Sequence, residues 1–169
     1  MKLDQSRRDL LLTSLLLAFP LNVSSASASP LNPAQTIITP PDKLGWTSNP
    51  NFPAHSVEMC PLFGDINGEG LYYTLIRWWP GFMSAPHAYA TDRLCVVVSG
   101  TWWCNSGEDF DPASCVPVPA GSFVRRVAGT PHYDGVVRGH NEPAVVAICG
   151  IAPVKFRLID PTQPLVRPV

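Results

Sequence analysis

Proline and glycine interrupt this chain so often that they argue against a helical protein. The sequence has 19 prolines and 12 glycines among its 169 residues. Proline breaks the interiors of helices and of central strands, and glycine is favoured in tight turns. Apolar runs of strand length, such as 71–79, 93–98 and 144–151, lie between the turn residues. The pattern predicts an all-β protein of short strands joined by turns.

Length and composition fit one folded domain. With 46% hydrophobic and 15% charged residues, the chain can form one core but not two comfortable ones. We divide it into an export signal over residues 1–28, a proline-rich extended arm over 29–55, a β-sandwich or barrel over 56–152 and an extended C-terminal segment over 153–169.

The first 28 residues are typical of an export signal. A short charged head precedes an apolar run over residues 10–23 and the small residues Ala26-Ser27-Ala28. Residues 6–11, Ser-Arg-Arg-Asp-Leu-Leu, resemble the twin-arginine consensus, with an ordinary secretory signal as the alternative. The apolar run, at roughly 14 residues, is too short for a stable membrane anchor. We therefore expect a mature periplasmic protein that begins near Ser29.

The predicted mature chain is close to charge balance, with nine Lys and Arg against eleven Asp and Glu. This composition gives no support to a nucleic-acid partner. All five cysteines lie in the mature part, and an oxidising periplasm permits disulfides. Cys104 and Cys115 flank a loop between two predicted strands, so theirs is the disulfide we favour. A bond between Cys60 and Cys149 is an unsupported alternative.

Two glycine-framed segments carry the candidate chemistry. Residues 81–100 contain His87, Tyr89 and Arg93, and residues 121–132 end in Gly-Thr-Pro-His132. Their spacing resembles the two signatures of the cupin superfamily, G-x(5)-H-x-H-x(3,4)-E-x(6)-G and G-x(5)-P-x-G-x(2)-H-x(3)-N. The resemblance covers roughly residues 70–152. It implies a single antiparallel β-barrel of the jelly-roll type, with a metal site at its mouth.

The segments depart from the family pattern where the metal would bind. His87 and His132 fall on the first and last ligand positions, whereas Tyr89 replaces the second histidine and Arg93 the glutamate. The resemblance implies His87, Tyr89 and His132 as metal ligands and catalytic residues, with Fe, Mn, Ni, Cu or Zn as the metal. A phenolate at Tyr89 is costly, and Arg93 cannot ligate and would repel a divalent ion. Without a metal, the two histidines could serve as general acid and base.

The second signature also departs from the family at two further positions. Val127 replaces the expected proline, and Val136 stands where asparagine is expected. The fold therefore carries over from the resemblance better than the chemistry does.

Arg93 supports a function of its own. Strand alternation places residues 93, 95 and 97 on one face with residues 87 and 89. An interior guanidinium there would hold a carboxylate, phosphate or sulfonate through paired hydrogen bonds. The alternatives are an ion pair with Asp92 or Asp134, or a register that turns Arg93 outward. Cys95 would share the interior face, as a buried hydrophobe or, in a minor hypothesis, as a reactive thiolate.

Two pairs of adjacent tryptophans, at 78–79 and 102–103, add a constraint. Neighbouring residues on a regular strand point to opposite faces, so one member of each pair should face outward, under the arm or into a subunit interface. The inward member, which we take to be Trp102 in the second pair, would line a ligand pocket. The resemblance also implies a homodimer. His55 and His140 lie in turn regions and are expected to be exposed and incidental.

Together these features predict an exported cupin-type protein that binds a small molecule, an organic acid, inside the barrel. Two functional classes stay open. One is a metal-dependent dioxygenase, isomerase or lyase, which twin-arginine export favours because the chain would fold and acquire its metal before export. The other is a metal-free periplasmic module that binds or senses small anions without catalysis, which the loss of the carboxylate ligand favours.

Overall fold

The computed structural model of the protein describes residues 31–32 and 34–169, and the predicted export signal over 1–28 lies outside them. The chain divides after Thr39 into two units. In the described part of the first, the carbonyl of Asn32 accepts hydrogen bonds from the amides of Gln35 and Thr36. The second, residues 40–169, carries all the strands described below. Within the described residues, no helix has the length and apolar character needed to cross a membrane.

The described residues form thirteen β-strands and two single 3₁₀ turns, at Pro41–Lys43 and Pro112–Ser114. The strands are β1 Thr47–Ser48, β2 Val57–Phe63, β3 Gly70–Trp78, β4 Phe82–Ser84, β5 His87–Tyr89, β6 Arg93–Ser99, β7 Thr101–Ser106, β8 Val116–Pro119, β9 Phe123–Arg126, β10 His132–Val136, β11 Ala144–Ala152, β12 Phe156–Leu158 and β13 Val166–Pro168. The all-β prediction is confirmed, and the longest predicted strands match β3, β6 and β11 to within two residues at each end.

The strands make two antiparallel sheets. The first has the order β1-β2-β3-β11-β6-β9, and the second has the order β12-β5-β10-β4-β13, with β7 pairing with both β10 and β8. Side chains of both sheets, including Val97 of β6 and Val136 of β10, meet in one apolar core. Segments assigned from sequence to the arm and to the C-terminal extension contribute the edge strands β1, β12 and β13.

Strand β6 shows the expected alternation. Arg93, Cys95 and Val97 are buried, whereas Leu94 and Val96 are exposed. The prediction that residues 93, 95 and 97 share the interior face is therefore confirmed.

The inward-facing residues change from polar to apolar along the strands. Arg93 on β6 is in register with Gly150 on β11, which is in turn opposite Tyr72 on β3. Four residues farther along β6, Val97 is in register with Val146, which is opposite Ile76. On β10 the inward series is His132, Asp134 and Val136. The interior thus has a polar end and an apolar end.

The predicted disulfide between Cys104 and Cys115 is absent. All five cysteines belong to the described residues, and each is a free thiol. Cys104 on β7 is opposite Val116 rather than Cys115, and it packs in the main core. Cys115 packs with Met83 and Tyr133 in a separate cluster. The two thiols occupy different apolar clusters, and loop spacing alone could not reveal this.

The first sheet has an apolar outer surface. Leu94 and Tyr73 are both opposite Cys149, and Val96 is opposite Phe123, so these side chains share one face. The outer apolar face comprises Phe63, Leu71, Tyr73, Leu94, Val96, Val98, Phe123 and Ile151, all of which are exposed. A sheet with one solvated face normally presents polar residues there. This face is therefore suited to contact with another surface.

Each tryptophan pair has one buried ring and one partly exposed ring, as strand alternation requires. Trp78 and Trp102 are buried, whereas Trp79 and Trp103 are only partly covered. The indole nitrogen of Trp79 donates a hydrogen bond to Glu58. The ring of Trp103 packs against His140, with ring centroids 5.1 Å apart.

Candidate functional site

A cavity of about 620 Å³ lies between the two sheets. The structure brings all the residues proposed from sequence to its wall: His87, Tyr89, Arg93, Cys95, Trp102 and His132. It adds Arg126 and Asp134, of which only Asp134 was considered from sequence, and then merely as an ion-pair partner for Arg93. His55 and His140 are exposed and do not line this cavity.

His87 and His132 are cross-strand neighbours on β5 and β10, with ring centroids 4.5 Å apart. The Nδ1 atom of His87 donates to the carbonyl of Ala85 at 2.8 Å, and that of His132 donates to the carbonyl of Thr130 at 3.0 Å. Carbonyl oxygens only accept, so the proton of each neutral ring is on Nδ1 and the lone pair is on Nε2. Both rings therefore keep an acceptor nitrogen free.

Burial keeps both imidazoles uncharged near neutral pH. It lowers the pKa of His87, and it lowers the pKa of His132 to about 4, even though the nearby Asp134 carboxylate acts in the opposite direction. Neutral imidazoles with free lone pairs can accept a proton or bind a metal.

Tyr89 lies beside both histidines, with ring centroids 5.0 Å from His87 and 5.6 Å from His132. Burial raises the pKa of its hydroxyl, an effect that the positive charge of Arg93 only partly offsets. Near neutral pH, Tyr89 therefore presents a neutral phenol that can hydrogen-bond within the cavity.

Arg93 is 8% exposed, and its guanidinium carbon lies 4.1 Å from the centre of the Tyr89 ring. Its Nε donates to the hydroxyl of Tyr72 at 3.1 Å. Among the described residues it has no carboxylate partner, because Asp92 pairs with Arg125 and Asp134 pairs with Arg126. Neither the proposed ion pairs nor an outward register applies to Arg93.

Gly150 makes the contact between Arg93 and Tyr72 geometrically feasible. A Cβ atom at position 150 would lie 2.7 Å from the Tyr72 hydroxyl oxygen and 2.8 Å from a ring carbon. The glycine leaves room for the Tyr72 ring to cross β11 and reach the guanidinium on β6.

Asp134 is the buried carboxylate of the site. Its Oδ1 accepts from the indole nitrogen of Trp102 at 3.2 Å, and its Oδ2 accepts from a terminal nitrogen of Arg126, also at 3.2 Å. Asp134 follows His132 by two residues on the same strand, so alternation from His132 could have placed it on the cavity wall. Arg126 is opposite Arg93 across β6 and β9, a register that the sequence does not reveal.

The cavity wall carries an excess positive charge. Its charged lining residues are Arg93, Arg126 and Asp134, and both lining histidines are held neutral near pH 7. The Arg126–Asp134 ion pair cancels itself, so the charge of Arg93 is left over. An anionic molecule in the cavity would balance it.

The residues of the site also fit a transition metal. His87, His132 and Asp134 bring one ligand atom each to within 4.8 Å of one another. Two imidazoles and a carboxylate form a known donor set for non-haem iron. The hydrogen bonds from Trp102 and Arg126 leave further lone pairs on the Asp134 oxygens, and such bonds commonly orient ligating carboxylates. Asp134, rather than residue 93, supplies the carboxylate of this cluster.

Cys95 faces the cavity but is not an activated thiol. Burial raises its pKa to about 11, against the opposing effect of Arg93. The raised pKa disfavours the reactive thiolate, and Cys95, 1% exposed, packs in the main core as a small buried hydrophobe. Trp102 contributes part of the wall, and its indole nitrogen is already bonded to Asp134.

The sequence matches no protein-family model and no curated protein, but solved structures do resemble this fold. The polyketide cyclase RemF from Streptomyces resistomycificus superposes with a TM-score of 0.61 at 12% identity, over 74% of this chain and 86% of its own. Rru_A2000 from Rhodospirillum rubrum, described as a cupin-2 domain, gives 0.55 at 18% identity, over 79% and 86%. A structure of the DMSP lyases RdDddP and RnDddQII gives 0.54 at 16% identity, over 70% and 63%. Identities this low speak to architecture alone, and that architecture, two facing antiparallel sheets with the site between them, is the cupin fold.

Proposed function

We propose that the protein binds a small organic acid in its cavity, with Arg93 as the group that holds the carboxylate. The observation that carries this proposal is a buried guanidinium with no carboxylate partner among the described residues. Burying an unpaired charge costs several kcal/mol, so a ligand that brings the opposite charge gains affinity from the relief of that cost.

The hydrogen bonds of Arg93 support the same role. Its Nε donates a hydrogen bond to the Tyr72 hydroxyl, and its guanidinium group lies over the ring of Tyr89. Its two terminal nitrogens bond to no described residue, and they are not among the buried polar atoms left without a partner. They retain contact with the cavity and present the paired donors that a carboxylate accepts.

Calorimetry with benzoate and hexanoate tests this proposal. Arg93→Met keeps the hydrocarbon stem against Tyr89 but removes the charge, and we expect it to weaken binding at least tenfold. Arg125→Met is the matched control, since Arg125 is exposed and lies on β9. Binding of both acids with equal affinity by the wild type and Arg93→Met would contradict the proposal.

The second candidate function is a metal-dependent enzyme, which the cluster of His87, His132 and Asp134 favours. These residues would hold the metal, and Arg93 would orient the carboxylate of the substrate. A metal bound there would supply Lewis-acid or redox chemistry. Two neighbours with this fold are named a cyclase and lyases, so the fold is compatible with catalysis.

Elemental analysis of untagged protein purified without chelator separates the two candidates. Near-stoichiometric Fe, Mn, Ni, Cu or Zn in the wild type that is lost in His87→Ala, His132→Ala and Asp134→Asn would support the enzyme. Retention of the metal by His140→Ala is the control, because His140 is exposed and lies outside the cavity. Protein that stays metal-free after reconstitution would leave the anion-binding or sensor module.

We also propose that the protein acts in the periplasm after twin-arginine export. This part depends on the sequence pattern of residues 6–28. Replacing Arg7 and Arg8 together by Lys should leave the precursor in the cytoplasmic fraction of a bacterium that has the twin-arginine route. Unchanged export would favour an ordinary secretory signal.

A further inference from the structure

The charged groups of the cavity lie together at its polar end. Arg93, Arg126 and Asp134 are its charged lining residues, and Arg93 and Arg126 are cross-strand neighbours. The remaining polar lining from residues 47–51 is uncharged. Among the described residues, the cavity therefore offers one binding site for an anionic group and no second site of that kind.

The other end of the cavity is mainly apolar, although the uncharged polar residue Thr47 is in register with Met59 there. Its wall includes Val57, Met59, Ile76, Trp78 and Val146, from three neighbouring strands of the first sheet. The distance from Arg93 to Val97, which is in register with Val146, is four residues of extended strand, or about 13 Å. The apolar wall thus begins within one small-molecule length of the anion site.

The size of the cavity exceeds what a short acid would fill. Its volume of about 620 Å³ is within the range of about 300–1,000 Å³ typical of sites for drug-sized ligands. Acetate bound at Arg93 would leave the apolar wall in contact with water. A hydrocarbon body attached to the same carboxylate would cover that wall, which is favourable in proportion to the area buried.

We infer that the cavity takes amphipathic monocarboxylic acids, with the carboxylate at Arg93 and an aliphatic or aromatic body along the wall formed by Ile76, Trp78 and Val146. This inference rests on the proposed function, because it assigns the chemical class of the acid bound there. It makes short hydrophilic acids and dicarboxylic acids poor ligands.

The test is calorimetric titration of the wild-type protein with acetate, butyrate, hexanoate, octanoate and decanoate. We expect the dissociation constant to fall about threefold to fourfold for each added methylene until the apolar wall is covered. Sebacate has the ten-carbon chain of decanoate with a carboxylate at both ends, and 1-decanol is neutral. Each should bind at least tenfold more weakly than decanoate.

The variant that tests the apolar wall is Val146→Thr, which keeps the size of this wall residue and adds a hydroxyl. It should weaken decanoate binding and leave butyrate binding unchanged, whereas Val98→Thr on the outer apolar face should change neither. Binding that depends on Arg93 but not on chain length would overturn this inference and leave the proposed function standing. Absence of binding by every acid would overturn both, and tighter binding of sebacate than of decanoate would overturn the inference alone.

Discussion

Arg93 donates a hydrogen bond of 3.1 Å from its Nε to the hydroxyl of Tyr72, and Gly150 lies between them on the intervening strand. Arg93 and Tyr72 come from strands that are not neighbours in the sheet, so they meet only by crossing β11. The absence of a side chain at Gly150 is what permits this, and the orientation of the guanidinium depends on it.

Gly150→Ala should therefore disturb the anion site indirectly. The added methyl group would lie 2.7 Å from the Tyr72 hydroxyl oxygen, so the buried Tyr72 ring must move away from Arg93. Overpacking of this kind costs about 1–3 kcal/mol, and we expect weaker binding of hexanoate as well. Urea unfolding and calorimetry measure the two effects. Gly45→Ala is the control because nothing surrounds that position within 4 Å; equal effects of the two substitutions would contradict this account.

Asp134→Asn should destabilise the fold strongly. The substitution removes the carboxylate that neutralises Arg126, and both side chains are about one-tenth exposed. Breaking a buried ion pair on one side costs about 3–5 kcal/mol. The matched change Asp92→Asn breaks the exposed pair with Arg125 and should have a much smaller effect on the urea midpoint. Similar midpoints for the two variants would show that the interior pair has no special importance.

The free energy of unfolding should fall as the pH drops below the pKa of histidine in the unfolded chain. Burial lowers the pKa of His132 from 6.5 to about 4, so the unfolded chain takes up a proton in this range before the folded protein does. The contribution of His132 to the free energy of unfolding is fully present above pH 6.5 and declines as the pH falls towards 4. The loss from this group is about 3 kcal/mol.

Urea unfolding at several pH values, with wild type and His132→Gln side by side, measures this loss. The variant cannot take up the proton and should show a correspondingly shallower decline, whereas His55→Gln, which replaces an exposed histidine, should follow the wild type. Parallel curves for wild type and His132→Gln would rule out the burial effect.

We propose that the outer apolar face is covered by a second copy of the chain. Phe123 and Leu94 lie on this face with exposed fractions of 64% and 45%, and exposed apolar surfaces of this extent usually mark contacts. Light scattering should show a dimer for the wild type and a monomer for Phe123→Glu. Val116→Glu, which alters an exposed apolar residue on β8 in the second sheet, should leave the dimer intact. A monomeric wild-type protein at micromolar concentration would contradict the homodimer.

Strand positions and their inward faces could be predicted because alternation is a local property. Arg93 and Cys95 are buried as expected, and His87 and His132 meet because each begins a short strand at a position marked by the glycine turns. The pairing of Arg126 with Asp134 could not be predicted in this way. It joins β9 of one sheet to β10 of the other, so it depends on how the sheets pack.

The cysteines show a second limit of local reasoning. Cys104 and Cys115 are close along a predicted hairpin, yet their thiols lie in different apolar clusters. For Cys95, the sequence indicated a neighbouring positive charge but could not weigh it against burial, which is the larger influence on its pKa.

The charged groups and the apolar wall of the cavity come from different strands, with Arg93 on β6 and Val146 on β11. Selectivity for the head group and selectivity for the body of a ligand are therefore separable traits. A change at position 93 would alter which head group is accepted without touching the wall at Val146, and the reverse also holds. Such a cavity can be retuned, by selection or by design, one end at a time.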